Sequence, residues 1–500
     1  MRLSPVSGGT ALCSALEEVR LRVSKSTEAT KKSHLGQFLT AGRTAAFMAG
    51  LFPPASGNCR LLDAGAGIGS LAGAFLERCV SEALPCNDIQ VTAFELDDSL
   101  HTDLKLGLLG YADRLPLHFE IIGGDFIEAA VNRVQFGPAR FTHAILNPPY
   151  KKIGSASRHR LLLRQVGIET VNLYSAFVAL AVLLMAPGGQ IVAIIPRSFC
   201  NGPYYRPFRD LLLERTAIRH LHLFESRNKT FRDDDVLQEN IIIRLECGGR
   251  QGPVTISTST DDSFADLASH EHPFEDILFP DDPQRFIHVP TSPGKNACEL
   301  SPAVRHSLAA LNIQVSTGPV VDFRLREHLR DLPEDGTVPL LYPGHFAASG
   351  LTWPLAGARK PNAIQRSEAT EKWLYPRGFY CVVRRFSSKE ERRRVVAGVV
   401  DPGLLADAPM LGFENHLNLF HAHRHGLPEA LARGLAVFLN TTAVDEQFRR
   451  FSGHTQVNAT DLKRMTYPSR ENLTRLGQWA MQQGQLTQAM IDAQFGTLTA

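Results

Sequence analysis

The sequence lacks any run of apolar residues long enough to cross a membrane. Its longest run, from Ala176 to Ala186, stops at Pro187 and falls well short of the roughly 18 residues that a spanning helix needs. The N-terminal segment also lacks an apolar block of signal-peptide length. We therefore expect a chain that is not exported and that remains in the cytoplasm.

Paired cysteines are also absent. The eight cysteines form no C-x-x-C pair and no zinc-ligand spacing, so we expect reduced core thiols and no metal site. Neither sign of charge dominates, because 53 basic residues stand against 51 acidic residues. With 44% hydrophobic and 21% charged residues, the composition excludes a disordered chain and is typical of an ordered protein of two or three domains.

Charge is distributed unevenly along the chain. The stretch from Gln251 to Gln284 holds eight acidic residues and no Lys or Arg, whereas the stretch from Arg359 to Arg394 holds eleven basic and four acidic residues. If folding segregates these stretches, the protein has one strongly positive face.

The first half of the chain alternates short apolar runs with helical stretches. This alternation predicts an α/β fold with a parallel sheet. Strands are expected at Arg60–Leu62, Val91–Phe94, Leu117–Ile122, Ala144–Leu146, Gln190–Ile195 and Asn240–Leu245, and helices at Ser70–Val80 and Leu173–Leu184.

The same pattern divides the chain into four parts. The α/β domain is expected over residues 30–250. The acidic stretch, residues 251–294, is expected as a linker, with a surface excursion of one large domain as the alternative. A mixed α+β domain rich in Gly, Pro and Arg is expected over residues 295–470, and a peripheral helical tail over residues 471–500.

Three glycines at alternating positions follow the first predicted strand. They are Gly65, Gly67 and Gly69, and Asp63 precedes them at the strand tip. Glycine lets the backbone approach a ligand at the carboxyl edge of a sheet. The spacing departs from the dinucleotide fingerprint, and an acid at the strand tip suits a cationic ligand such as the sulfonium of S-adenosylmethionine. A dinucleotide site and a tight structural turn remain alternatives.

The next two predicted strands also end in acidic residues. Glu95 lies where a carboxylate accepts from ribose hydroxyls in nucleotide-binding sheets. Asp125 and Phe126 follow the third apolar run, where the carboxylate can accept from an adenine amino group and the ring can stack on the base. Each signal alone also fits a solvent-facing acid or a turn, but three acids at successive strand tips favour a nucleoside-containing cofactor.

The tetrapeptide Asn147-Pro148-Pro149-Tyr150 follows the fourth predicted strand. Two consecutive prolines stiffen the backbone and hold Asn147 extended. The Asn147 side-chain oxygen and the Pro148 carbonyl can then both accept from one exocyclic amino group, and Tyr150 offers a face to a flat substrate. A proline turn closed by a core tyrosine is the structural alternative.

In this order, these motifs resemble those of N6-adenine DNA methyltransferases of the gamma class, and the second half resembles the PstI/BsuBI type of modification methylase. The resemblance implies a Rossmann-like domain that uses S-adenosylmethionine, followed by a target-recognition domain. It implies that Thr40, which precedes Ala41 where the family usually has proline, lies over the methionine end of the cofactor. It also implies that Phe231 packs on the flipped base.

A base inside a duplex cannot reach Asn147, so such an enzyme must flip the base out and bind the surrounding duplex. Basic residues beside aromatic ones predict the phosphate contacts, and polar residues near the end of the second domain are candidates for reading base edges or for ordering the domain. The candidates are Lys151, Lys152, Arg384, Arg385, Arg392, Arg393, His454, Gln456 and Asn458.

The leading hypothesis is therefore a restriction-modification DNA methyltransferase that acts on adenine N6, with CTGCAG as the site that the resemblance implies. Expected partners are double-stranded DNA and a companion endonuclease, with the enzyme acting as a monomer. Three alternatives remain: methylation of an RNA base or of a protein glutamine, a fused restriction nuclease whose only candidate motif lies at Asp461-Leu462-Lys463, and a DNA-binding subunit without catalysis.

Overall fold

The structure is a computed structural model that describes residues 11–26, 39–54, 57–137, 140–225, 239–280, 282–290, 298, 301–347, 350–357, 359–387, 391–405, 407–452 and 456–499. Two compact units divide the chain, Met1–Pro293 and Gly294–Ala500. No helix within these described ranges is long and apolar enough to cross a membrane. The predicted functional residues Phe231 and His454 lie outside the described residues.

The first unit alternates strands and helices along most of its length. Its described elements are α1 (Ala11–Ser26), α2 (Gly42–Gly50), β1 (Gly57–Ala64), α3 (Ser70–Val80), β2 (Cys86–Glu95), α4 (His101–Ala112), β3 (Leu117–Gly123), α5 (Phe126–Phe136), β4 (Phe141–Leu146), α6 (Arg158–Gln165), α7 (Leu173–Leu184), β5 (Met185–Pro196), α8 (Arg206–Arg215), β6 (Thr216–Phe224), β7 (Asn240–Cys247), β8 (Val254–Ser259) and β9 (Ala268–His272).

One sheet joins all nine of these strands in the order β3-β2-β1-β4-β5-β7-β6-β8-β9. The predicted α/β, Rossmann-like fold is confirmed, but the sheet is mixed. Strand β7 runs antiparallel to both of its neighbours, and β9 runs antiparallel to β8. The prediction of a parallel sheet was wrong here because an apolar run indicates a strand and not its direction, which depends on the connection that precedes it.

Helices cover both faces of the sheet, so its central strands are apolar on both sides. Ala144 and Leu146 of β4 pack in one core cluster with α5, α7 and α8, whereas Ile145 between them packs in the other cluster with α2, α3 and α4. Successive side chains of a strand point to opposite faces. The short apolar runs in the sequence are therefore strands buried between two helical layers.

The acidic stretch predicted as a linker belongs instead to the edge of this sheet. Strand β8 pairs in parallel with β6, and β9 then pairs with β8. Val254 and Ile256 alternate along β8 and are buried, whereas Asp261 and Asp262 lie in the turn that follows. The linker prediction was wrong because it relied on the acidic residues of the turn and overlooked the short alternating pattern of the strand before it.

The second unit mixes short strands with helices, as the α+β prediction required. Its described elements are β10 (Val304–His306), β11 (Gln314–Thr317), β12 (Leu329–Arg330), β13 (Thr337–Leu341), β14 (Phe346–Ala347), β15 (Gly350–Leu351), β16 (Ala363–Gln365), α9 (Glu368–Glu371), β17 (Leu374–Pro376), β18 (Tyr380–Arg384), β19 (Ala397–Val400), β20 (Met410–Phe413), β21 (Leu417–His421), α10 (Glu429–Leu439), α11 (Thr442–Phe451), α12 (Ala459–Arg464), β22 (Tyr467–Pro468), α13 (Arg470–Met481) and α14 (Gln488–Thr499).

The C-terminal helices are part of the core of this unit and not a peripheral tail. Helices α10 and α13 approach so closely that a Cβ atom on Gly434 would lie 1.7 Å from the Leu473 carbonyl oxygen, and one on Gly477 would lie 1.7 Å from that of Ala430. Leu476 and Phe495 are buried in the same core cluster. The sequence shows that these residues are helical, but only tertiary packing shows where the helices lie.

Candidate active site

A cleft opens at the carboxyl ends of β1, β2 and β4, where these parallel strands reach the same edge of the sheet. Its walls come from the loops after these three strands and after β3, from helices α3, α5, α6 and α7, and from Leu39 and Thr40. The lining residues are Leu39, Thr40, Gly65, Ala66, Gly67, Ser70, Leu71, Phe94, Glu95, Leu96, Gly124, Asp125, Phe126, Ile127, Asn147, Pro149, His159, Leu173 and Phe177.

The glycine-rich loop forms the floor of this cleft. Gly65, Gly67 and Gly69 all have positive φ, at 80°, 57° and 86°, a conformation that side-chain-bearing residues rarely adopt. A Cβ atom on Gly67 would lie only 2.8 Å from the Leu39 side chain. The backbone amide of Gly65 donates to the Phe94 carbonyl at 2.9 Å, which ties the loop to the end of β2.

Glu95 at the end of β2 lines the cleft beside this loop. Its two carboxylate oxygens accept from the backbone amides of Gly67 and Asp97, both at 2.7 Å. Burial raises the pKa of Glu95 above its ordinary value, although these two amide donors act in the opposite direction. Glu95 therefore braces the glycine loop, and a carboxylate oxygen can accept more than one hydrogen bond, as binding of a ligand hydroxyl would require.

Asp63 lies near the end of β1 but does not line the cleft. The side chain is fully buried, and one oxygen accepts from the backbone amide of Ala72 in the first turn of α3 at 3.2 Å. Its other oxygen has no hydrogen-bond partner among the residues that the structure describes. Burial raises the pKa of Asp63 to about 7. The structure thus places this acid behind the glycine loop, where it contacts the helix that the loop introduces.

Asp125 and Phe126 lie together in the opposite wall, at the start of α5. The Phe126 ring packs against Phe94 and Phe177, with ring centroids 5.0 Å and 4.8 Å apart. The Asp125 carboxylate caps α5 by accepting from the backbone amide of Ile127 at 2.7 Å. An aromatic surface next to an oriented carboxylate can bind a planar heterocycle that carries an amino group.

Asn147 lies at the end of β4, in the same cleft. Its side-chain amide nitrogen donates to Thr40 Oγ1 at 3.0 Å, and its Oδ1 accepts from the Tyr150 hydroxyl at 3.2 Å. Tyr150 also lies within 3.3 Å of the Ile194 carbonyl oxygen. Burial raises the pKa of Tyr150, so the phenol remains a hydrogen-bond donor. These contacts orient the Asn147 amide with Oδ1 as its acceptor.

The two prolines between Asn147 and Tyr150 position this pair. Pro149 lines the cleft, and Pro148 is buried beneath it. The Tyr150 ring meets the Tyr174 ring edge to face, with centroids 6.3 Å apart at 85°. The structure therefore brings Thr40, the glycine loop, Glu95, Asp125, Phe126, Asn147 and Pro149 to one cleft, whereas Pro148 and Tyr150 are not among its lining residues.

Sequence reasoning assigned no cofactor contact to several lining residues. His159 of α6 lines the cleft wall. Leu173 and Phe177 belong to the apolar helix α7, whose sequence does not show which side chains border a ligand. Of these residues, only His159 could have been identified from the sequence, because a titratable side chain soon after the catalytic motif is a candidate for contact with a ligand.

Several predicted DNA-binding residues are exposed. Lys151 and Lys152 directly follow the catalytic motif, and both are exposed, as is Arg392 in the second unit. Arg384 is partly buried and forms an ion pair with Glu391. Exposed cations suit phosphate contacts, whereas Arg384 would have to exchange its carboxylate partner for a phosphate.

Other predicted DNA-binding residues have structural contacts within the second unit. Arg385 donates to Gln456 Oε1 at 3.2 Å. Arg393 donates to the Thr441 carbonyl oxygen at 2.7 Å, and burial lowers its pKa. Asn458 caps α12 through reciprocal contacts with Asp461. Arg393 and Asn458 therefore hold the domain together in this structure, a role that charge and residue type alone did not reveal.

Comparisons with known proteins identify the family of this chain. Residues 123–231 match the family of Eco57I restriction-modification methylases. The chain is 52% identical over 481 residues to the Type II methyltransferase M.BsuBI of Bacillus subtilis, covering 95% of each protein. It is 41% identical over 469 residues to the Type II methyltransferase M.PstI of Providencia stuartii, covering 92% of each.

A further relative matches a smaller part of the chain. The tRNA1(Val) (adenine(37)-N6)-methyltransferase of Shewanella woodyi is 26% identical over 206 residues, which is 39% of this chain and 81% of that enzyme. The two longer matches extend through nearly the whole sequence at identities well above those of a shared fold alone. The chain therefore belongs to the Type II methyltransferases of the BsuBI and PstI type, the DNA methyltransferases of restriction-modification systems.

Proposed function

We propose that this Type II methyltransferase transfers a methyl group from S-adenosylmethionine to the N6 amino group of an adenine flipped out of duplex DNA, within the sequence CTGCAG. One observation carries the proposal: the Asn147 acceptor lies in the same cleft as the glycine loop and Glu95. An acceptor for an amino group thus adjoins a candidate nucleoside pocket. The name of the tRNA methyltransferase relative specifies adenine N6, which agrees with this chemistry.

The cleft suits S-adenosylmethionine. The positive-φ glycines leave room for backbone to approach the amino-acid part, Glu95 can accept from the ribose hydroxyls, and Phe126 beside Asp125 suits the adenine. Thr40, which contacts Asn147 at 3.0 Å, would lie near the methionine end. The cofactor supplies an electrophilic methyl group when bound.

Asn147 and its neighbours would activate the target amino group without a covalent intermediate. Asn147 Oδ1, which accepts from Tyr150, is the first acceptor for the adenine amino group, and the Pro148 carbonyl is the second acceptor. Two acceptors draw both amino hydrogens toward the protein, which directs the nitrogen lone pair at the methyl carbon. Positioning and electrostatic preorganisation would carry most of the rate acceleration.

The second unit, which contains the predicted target-recognition domain of residues 295–470, would bind the duplex around the flipped base. Arg392 is exposed, and Arg385 and Gln456 adjoin the half-exposed Phe386 ring, so this part of the unit combines cations, a flat ring and a polar side chain. Lys151 and Lys152 would contribute phosphate contacts beside the catalytic motif. We expect Phe231 to pack on the flipped adenine. A monomer and a companion endonuclease are further expectations of the proposal.

The test is incubation of the purified protein with tritiated S-adenosylmethionine and duplexes that contain CTGCAG or the same site with its adenine replaced. Nucleoside analysis should find N6-methyladenine with the intact site alone. Replacing Asn147 with Ala should reduce transfer by at least about 1000-fold, since the amino group loses a preorganised acceptor, while S-adenosylhomocysteine still binds. Equal activity of Asn147→Ala would refute the proposed mechanism.

RNA is the second candidate substrate, because one relative is named as a tRNA methyltransferase. That match covers 39% of this chain, whereas the matches to M.BsuBI and M.PstI cover 95% and 92%. The part of the chain that the tRNA enzyme does not match therefore favours duplex DNA. Label that appears in a tRNA transcript and not in the duplex would reverse this choice.

A further inference from the structure

The Asp125 carboxylate has two differently engaged oxygens. Oδ1 accepts from the backbone amides of Ile127 at 2.7 Å and Glu128 at 3.4 Å, which is a helix-capping contact. Oδ2 lies 2.6 Å from Nε2 of His159. An ionised carboxylate only accepts hydrogen bonds, so the imidazole N–H donates here. The acid assigned to the cofactor's adenine thus already has a side-chain partner in the cleft wall.

His159 lies in the first turn of α6. Ser157 caps this helix by accepting from the backbone amide of Arg160 at 3.3 Å. The adjacent residue Arg158 forms an ion pair with Glu128 of α5 at 3.0 Å. Two consecutive side chains of α6 therefore bind two acids at the start of α5. The side chains of His159 and Asp125 remain about one-third exposed, which leaves both accessible from the cleft.

We propose that His159 is a positioning residue for the cofactor. By donating to Asp125 Oδ2, it fixes the rotation of the carboxylate about the bond to Cβ, and the second lone pair of Oδ2 remains free to accept from the exocyclic amino group of adenine. His159 acts through Asp125 and not on the reacting atoms. This inference rests on the proposed function, because it assumes that the adenosine part of the cofactor binds between Asp125 and Phe126.

An oriented carboxylate distinguishes adenine from hypoxanthine. Adenine presents an amino donor at position 6, whereas hypoxanthine presents an oxygen that would face the carboxylate acceptor without a hydrogen between them. A hydrogen bond to a charged group corresponds to about 10- to 100-fold in affinity. We expect that much preference for the adenine form when Asp125 is held in place, and less preference when the carboxylate can rotate away.

The experiment measures dissociation constants by isothermal titration calorimetry on the full-length protein. The probes are S-adenosylhomocysteine and its deaminated analogue, S-inosylhomocysteine. The variants are His159→Ala, which removes the donor, and His159→Gln, which retains an N–H donor of similar reach. Arg158→Gln is the matched control, because it breaks the neighbouring ion pair between the same two helices without facing the cleft. Circular dichroism verifies that each variant is folded.

We expect wild type to prefer the adenine form by about 10- to 100-fold. His159→Ala should lose about tenfold in affinity for S-adenosylhomocysteine while its affinity for S-inosylhomocysteine stays within about twofold, so the preference collapses. His159→Gln should recover part of it, and Arg158→Gln should match wild type.

Three results would overturn parts of this account in distinguishable ways. An unchanged preference in His159→Ala would refute the role of His159 alone. An equal loss of affinity for both probes would show that the histidine only supports the fold of the cleft. Failure of the folded wild-type protein to bind S-adenosylhomocysteine would refute the proposed cofactor, and the inference with it.

Discussion

The buried acid Asp63 makes the stability of the first unit depend on pH. Its side chain is fully buried, one oxygen accepts from the Ala72 amide, and the other has no partner within the described part of the chain. Burial raises its pKa from the ordinary 3.8 to about 7, with the negative charge of Glu95 acting in the same direction. The folded chain therefore holds a proton on Asp63 at pH values where the unfolded chain has released it.

The sign and size of the effect follow from this difference. Stabilisation by protonated Asp63 is fully present below pH 3.8 and disappears as the pH rises through about 7. Between pH 5 and pH 8, this one group should lower the unfolding free energy by about 2.5 kcal/mol. Asp63→Asn keeps an acceptor for Ala72 without the buried charge, so the variant should lack this pH-dependent loss.

The measurement is urea-dependent hydrogen exchange of peptides from β1 and α3, at pH 5 and pH 8, for wild type and Asp63→Asn. Tryptophan fluorescence is unsuitable, because Trp353, Trp373 and Trp479 all lie in the second unit. The difference in unfolding free energy between the two proteins should change by about 2.5 kcal/mol between these pH values. A difference that does not vary with pH would refute the assignment of a raised pKa to Asp63.

Two further predictions concern the second unit. Gly434→Ala should lower the unfolding free energy of the second unit by about 3 kcal/mol, because the new Cβ would lie 1.7 Å from the Leu473 carbonyl oxygen. Tryptophan fluorescence during urea unfolding measures this free energy. Gly484→Ala is the control and should change it little, because the space around Gly484 is open. Arg392→Gln should weaken duplex binding and reduce the slope of log affinity against log salt by about 1 if this exposed side chain contacts a phosphate. An unchanged slope would show that Arg392 is not part of the interface. Arg114→Gln, at an exposed position of the first unit, is the control.

Most of the first unit could be predicted because its elements carry local signals. The helices predicted at Ser70–Val80 and Leu173–Leu184 have the same bounds in the structure. The apolar runs predicted as strands all lie in the nine-stranded sheet. Strand β8 was missed because it is short and lies in an acidic stretch, where alternation over a few residues is a weak signal.

The second unit was predictable in class but not in its contacts. Arg393 and Asn458 carry the side chains of a DNA-binding surface, yet Arg393 donates to the Thr441 carbonyl and Asn458 caps a helix. Both side chains therefore form hydrogen bonds within the unit. Residue type cannot distinguish DNA binding from a structural role, because the same side-chain groups can bind phosphate or form hydrogen bonds to the backbone.

The sequence by itself determined that the glycines, the acids and the Asn-Pro-Pro-Tyr motif gather at one edge of the sheet. The reason is that residues at the carboxyl ends of parallel strands reach the same edge wherever each strand lies in the sheet. Only the tertiary structure decided which of these side chains face the cleft. The Asp63 side chain lies behind the glycine loop and contacts α3. His159 contacts Asp125, although the two residues are 34 positions apart in the sequence. These outcomes depend on how helices pack against the sheet, and spacing along the chain does not encode that packing.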